Sequence, residues 1–122
     1  MKQNENLALE REIAKRLHDI GTPADLRGYH YLIEAIKIAL ADKEAVFKMT
    51  KNIYEPVAKL FNVTAKQVSK AINHAIIVAW DRGDLDTLIN YFGYTVSNFR
   101  GCPTNSECIA IVAERIRLQF ED

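Results

Sequence analysis

The most constraining stretch of this sequence is Thr64-Ala65-Lys66-Gln67 and the apolar stripe that follows it. A threonine with glutamine three residues on forms a capping box: the Thr64 hydroxyl accepts from the Gln67 amide, and the Gln67 side chain reaches back to the Thr64 N–H. Val68, Ile72, Ala75, Ile76 and Ala79 then recur at helical spacing. The helix therefore starts near Thr64, ends between Trp80 and Gly83, buries one stripe and exposes the other. Upstream, Glu55 to Phe61 reads as a short helix with Pro56 in its first turn and Val57, Leu60 and Phe61 facing inward. Only Asn62-Val63 separates the two helices. Residues 55–80 thus carry a helix-turn-helix pattern, whose second helix can enter the DNA major groove. The pattern alone is weak, because any helical bundle contains such pairs.

The rest of the chain is helical too. Leu9, Ile13, Leu17 and Ile20 give a first helix over residues 6–19, stopped at Gly21. Thr22-Pro23 offers the N-cap and first position of another helix. Residues 29–41 carry Leu32, Ile33, Ala35, Ile36, Ala39 and Leu40 on a broad apolar face, the mark of a buried core helix. A short helix is expected at 45–49. Leu85, Leu88, Ile89 and Phe92 support another, closed by Gly93. Residues 94–102 read as a loop or short extended piece, with Tyr94-Thr95-Val96 the best strand candidate. Thr104-Asn105-Ser106-Glu107 is a second capping box, opening a last helix with Ile109, Val112, Ala113 and Ile116 in the core. The expected fold is all-α: a compact domain of six to seven helices with a central helix-turn-helix. Residues 1–122 are read as one domain with a flexible start at 1–6, and 122 residues suffice for one core without metal or disulfide staples.

Charge is balanced overall, with 16 basic and 16 acidic side chains, but it is unevenly placed. Between Val46 and Trp80 stand Lys48, Lys51, Lys59, Lys66 and Lys70 against Glu55 alone, while both flanking segments are net acidic. A basic middle fits one face for a polyanion; it fits a set of solvated lysines equally well. No apolar run approaches the roughly 18 residues that span a bilayer, and the polar N-terminal residues are no secretory signal. The expected location is cytoplasmic.

Little in the sequence points to an enzyme. His18, His30 and His74 are scattered, and Cys102 and Cys108 have no matching ligand pair, so neither a metal nor a cofactor is expected. Cys108 falls on an apolar helix face, where a thiol behaves as a small hydrophobe. No Gly-rich phosphate loop, G-x-S-x-G or H-E-x-x-H occurs. Asp81, Asp84 and Asp86 crowd a helix junction and read as capping and solvation.

The chemistry lies opposite the core stripe of the 64–80 helix. Lys66, Gln67, Ser69, Lys70, Asn73 and His74 populate that surface, and Lys66, Lys70, Asn73 and Ile77 run along one side. Lysine donates to guanine or phosphate, and Asn and Gln pair bidentately with adenine. Thr64 and the helix N-terminus can hold a phosphate. Lys51 and Lys59, with Lys48, fit backbone contacts that position without reading bases. A merely solvated helix face accounts for the same residues.

Several separated stretches carry a resemblance. They are Gly28-Tyr29-His30-Tyr31-Leu32 with Glu34-Ala35-Ile36; Ala71-Ile72-Asn73-His74-Ala75-Ile76 running to Ala79-Trp80-Asp81-Arg82-Gly83; Phe92-Gly93-Tyr94-Thr95-Val96-Ser97; and Pro103-Thr104-Asn105-Ser106-Glu107. From about Leu7 to Leu118 the chain resembles the C-terminal effector domain of the stage-zero sporulation master regulator family, response-regulator transcription factors of endospore-forming bacteria. The resemblance implies a six-helix, nucleoid-associated DNA-binding domain acting on double-stranded promoter boxes as tandem or dimeric copies. It also implies a polymerase sigma contact near residues 80–96. Family members usually carry arginines and a glutamate on the recognition helix. Here Gln67, Ser69, Lys70 and Asn73 stand there, while His74 is kept, and lysine or asparagine does not replace arginine's bidentate guanine contact. An altered box preference is expected. So is a stand-alone domain, since too few residues precede the resembling helices for a phosphorylatable receiver. The competing expectation is a protein-interaction module that modulates a full-length regulator or sigma without reading DNA.

Overall fold

The computed structural model describes residues 2–93 and 101–121, the side chains of 2–5, 85 and 120–121 excepted. Among the described residues six α-helices follow one another: α1 Lys2–Asp19, α2 Arg27–Ala41, α3 Glu55–Phe61, α4 Ala65–Arg82, α5 Leu85–Phe92 and α6 Asn105–Glu121. A 3₁₀ turn, Lys43–Lys48, and a π-helical turn, Thr50–Tyr54, join α2 to α3. The fold is all-α, as the periodicity predicts. The expectation of a flexible start falls largely on side chains outside the described residues. The same holds for the strand candidate Tyr94-Thr95-Val96 and most of the 94–102 loop.

Helix α2 lies at the centre and packs on α1, α4 and α6. Its apolar face, Leu32, Ala35, Ile36 and Ala39, joins Val68, Ile72 and Ala75 of α4 and Ile109, Val112 and Ile116 of α6 in one buried cluster. Cys108 is part of that cluster, and burial pushes its thiol up to about 12, so it packs as an uncharged hydrophobe. Both cysteines remain thiols.

Gly28 sets the distance between α2 and α4. A Cβ there would sit 2.1 Å from the Ala71 carbonyl oxygen and 2.8 Å from Ala75 Cβ. Only a hydrogen fits, and the helices close to backbone contact. The ends of α1 and α4 meet in the same manner, where a Cβ on Gly21 would lie 2.7 Å from Gly83 Cα. Gly21 also has φ +93, a conformation glycine adopts without steric cost.

The structure corrects three local expectations. Thr22 does not cap a helix: its N–H donates to the Leu17 carbonyl at 2.9 Å and closes α1. Its hydroxyl is buried with no partner among the described residues. Pro23 opens a turn instead, its carbonyl accepting from Leu26 N–H at 3.4 Å, and α2 begins only at Arg27. The short helix expected at 45–49 is a 3₁₀ turn capped by Asp42, whose side chain accepts from the Glu44 amide. Leu60 and Phe61 do not face inward. Ile53, Val57 and Ala58 fill the seam, leaving Leu60 66 % exposed and Phe61 39 % exposed. Phe61 packs at a tilt on Tyr31, with ring centroids 4.9 Å apart.

Gly28→Ala should strain the α2–α4 contact, because its neighbours are backbone and a helix-borne methyl. Urea unfolding should show a loss of about 2 kcal/mol or more. A loss below about 0.5 kcal/mol, the range of ordinary surface substitutions, would mean the helices are not in this contact.

Candidate nucleic-acid interface

The turn between α3 and α4 is built by residue type. Asn62 ends α3 in the left-handed region, φ 55 and ψ 47, which asparagine tolerates better than most side chains. Both Asn62 N–H and Val63 N–H return to the Ala58 carbonyl, which stops α3 and redirects the chain within two residues. Thr64 then opens α4 with the capping box legible in the sequence. Gln67 N–H donates to Thr64 Oγ1 at 3.1 Å, and Thr64 N–H donates to Gln67 Oε1 at 2.9 Å. Because α4 is a rigid 18-residue helix, fixing Val68, Ile72 and Ala75 in the core fixes which side chains point away from it.

Thr64, Lys66, Gln67, Lys70 and His74 are exposed, while Ser69 and Asn73 are half-buried. Lys51 and Lys59 are exposed on the π-helical turn and α3. Lys66, Ser69 and Lys70 come together with Thr50 and Tyr54 around an open groove of about 400 Å³. A second groove, of about 280 Å³, lies between Asn73, Met49, Tyr54 and the α6 start at Thr104, Asn105 and Ser106. Thr64, Gln67, His74, Lys51 and Lys59 line neither groove.

The capping box limits Gln67. Its oxygen accepts from Thr64 N–H and also lies 3.3 Å from the Thr64 hydroxyl. While the box is closed, Gln67 offers only its Nε2 to a ligand. Asn73 is the other amide on the flank, and it does not share that restraint.

Several polar residues beside this face are not legible in the sequence as its neighbours, Tyr54 and Asn105 among them. Asn105 Nδ2 donates to Tyr54 Oη and to the Ser69 carbonyl, both at 3.0 Å, and Asn73 Nδ2 faces Asn105 Oδ1 at 3.5 Å. The second capping box places Asn105 in the first turn of α6. Nothing local in the sequence places that turn beside α4.

The electrostatics favour an anion. The described ion pairs are Arg16–Glu12, Lys37 with Glu10 and Glu34, and Arg117–Glu114. Among the described residues none of Lys48, Lys51, Lys59, Lys66 or Lys70 joins an ion pair, so no described carboxylate neutralises their charge. Among the described residues no group of three His, Cys, Asp or Glu is placed to hold a metal, and no helix is long and apolar enough to cross a membrane.

A helix-turn-helix whose second helix presents lysines and amides to solvent is the arrangement that helical DNA-binding domains use. The family described as Sporulation initiation factor Spo0A C terminal matches residues 13–116, from a core isoleucine of α1 to a core isoleucine of α6. The chain belongs to that family, the DNA-binding domains of sporulation transcription factors.

Thr64→Ala should remove the hydroxyl that accepts from Gln67 N–H and leave only the backbone bond from residue 64 to Gln67 Oε1. The expected loss is about 1 kcal/mol of unfolding free energy by urea titration; an unchanged midpoint would show that the cap does not hold the start of α4.

Proposed function

We propose that this domain regulates transcription by laying the outer flank of α4 in the major groove of promoter DNA. The observation that carries the reading is that Lys66, Ser69, Lys70 and Asn73 gather on a solvent-facing flank with their lysines uncompensated. Lys70 donates to guanine O6/N7, and Asn73 pairs with adenine N6 and N7. Thr64 and the α4 N-terminus meet a phosphate. Lys51, Lys59 and Lys66 contact the backbone on either side and set the register. Ser69, His74 and the Nε2 of Gln67 complete the contact surface.

The box preference differs from that of relatives bearing arginines on this helix. Lysine contacts guanine as a point charge without arginine's planar fork, and Asn73 favours adenine. Two partner surfaces accompany the reading: a second copy on a neighbouring box, and a polymerase sigma contact at the α4–α5 corner. There Ile89 is 57 % exposed and Asp81, Asp84 and Asp86 all face solvent.

A gel shift with duplexes selected from a random pool tests the reading. Lys70→Ala and Asn73→Ala should each cost about 1–3 kcal/mol of binding. Three lysines on phosphates should give log K falling with log salt at a slope of about −3. Binding unchanged in both variants would remove α4 from the contact. No affinity even at low salt, with a protein partner still bound, would instead favour an interaction module.

A further inference from the structure

We infer that Asn105, in the first turn of α6, positions the Asn73 amide for adenine recognition, so that base preference is set jointly by two helices. The inference rests on the reading of α4 just given. The Ser69 carbonyl can only accept a hydrogen bond. Asn105 lies 3.0 Å from it and must turn its Nδ2 toward it; Tyr54 Oη, also 3.0 Å away, takes the other hydrogen of the same amide. Both donors of Asn105 are then committed, and its Oδ1 is left facing Asn73 at 3.5 Å. Asn73 must answer with its own Nδ2, because its Oδ1 would meet another oxygen.

That choice leaves the useful half of Asn73 available. One Nδ2 hydrogen points to Asn105. With the hydrogen anti to Oδ1 given to Asn105, the syn hydrogen and Oδ1 form the edge that pairs with adenine N7 and N6. A freely rotating asparagine would present donor and acceptor in either order and would lose side-chain entropy on binding. Here the orientation is inherited from a backbone carbonyl through one intermediate residue. The contact at 3.5 Å is long, so its effect lies in orientation more than in strength.

The experiment uses the full chain and short duplexes that differ at one base pair. The variable position is the one where wild type, after selection from a random pool, prefers adenine and Asn73→Ala does not. Asn73→Ala should lose roughly tenfold in discrimination there. Asn105→Ala should reduce discrimination at that same base pair, leave the others unchanged, and keep wild-type affinity for a mixed-sequence duplex. The double variant should discriminate no worse than Asn73→Ala alone. If Asn105→Ala fails to fold, Asn105→Ser, which keeps a polar residue at the helix start but lacks the amide, carries the same comparison. Loss of discrimination in Asn73→Ala with none in the Asn105 variant overturns the inference and leaves the α4 reading standing. Equal weakening on all duplexes by the Asn105 variant also overturns it, since that is what a purely structural residue would do. If no position depends on Asn73, the inference and the Asn73–adenine contact are both overturned, and Lys70→Ala decides the rest of the α4 reading.

Discussion

Everything on the outer surface of this domain depends on how the inner stripe of α4 is buried against α2. Val68, Ile72 and Ala75 are fully buried, and Gly28 lets the two backbones approach until a single methyl would not fit between them. A helix cannot turn one side inward without fixing the other side outward. The hydrophobic effect, acting only on apolar residues, therefore orients the lysines and amides that never enter the core. Helix propensity alone would leave the rotation of α4 undetermined.

Local hydrogen bonding then fixes where α4 begins, and so how far along the helix each side chain sits. The left-handed Asn62 and the Thr64–Gln67 box end one helix and begin the next within three residues. The box has a chemical consequence beyond stability, because it occupies the Gln67 oxygen. Tertiary packing supplies the second restraint. By bringing the start of α6 against α4, the fold sets Asn105 between Tyr54, Ser69 and Asn73. The side chains of the proposed contact surface are thus arranged with the help of two capping boxes far apart in sequence.

Much of this was legible in the chain because the determining signals are local. Both capping boxes, the stop at Gly93, the short helix at Glu55–Phe61 and the core positions of α4 and α6 depend on residues within a turn or two of one another. The outward position of Lys66, Lys70 and His74 followed from the same periodicity. The misses share a different origin. Leu60 and Phe61 have the right periodicity for a core, yet among the described residues they stay exposed, with Phe61 packed at a tilt on Tyr31 of α2; periodicity records what could be buried, not what is there to bury it. Thr22 precedes a proline and has capping chemistry, but the closure of α1 claims its amide first. Asn105 stands 36 residues from Ser69 and 51 from Tyr54, and only the packing of α6 across α4 brings them together.

The most direct measurement of the central claim is a backbone amide NMR titration of the whole chain with a selected duplex. Shifts concentrated on residues 64–74, with smaller ones near Lys51, Lys59 and the first turn of α6, are the expected result. The amides of α1 should stay near their starting positions. A titration that perturbs α1 or α5 while leaving 64–74 unmoved would contradict the placement of α4 in the groove.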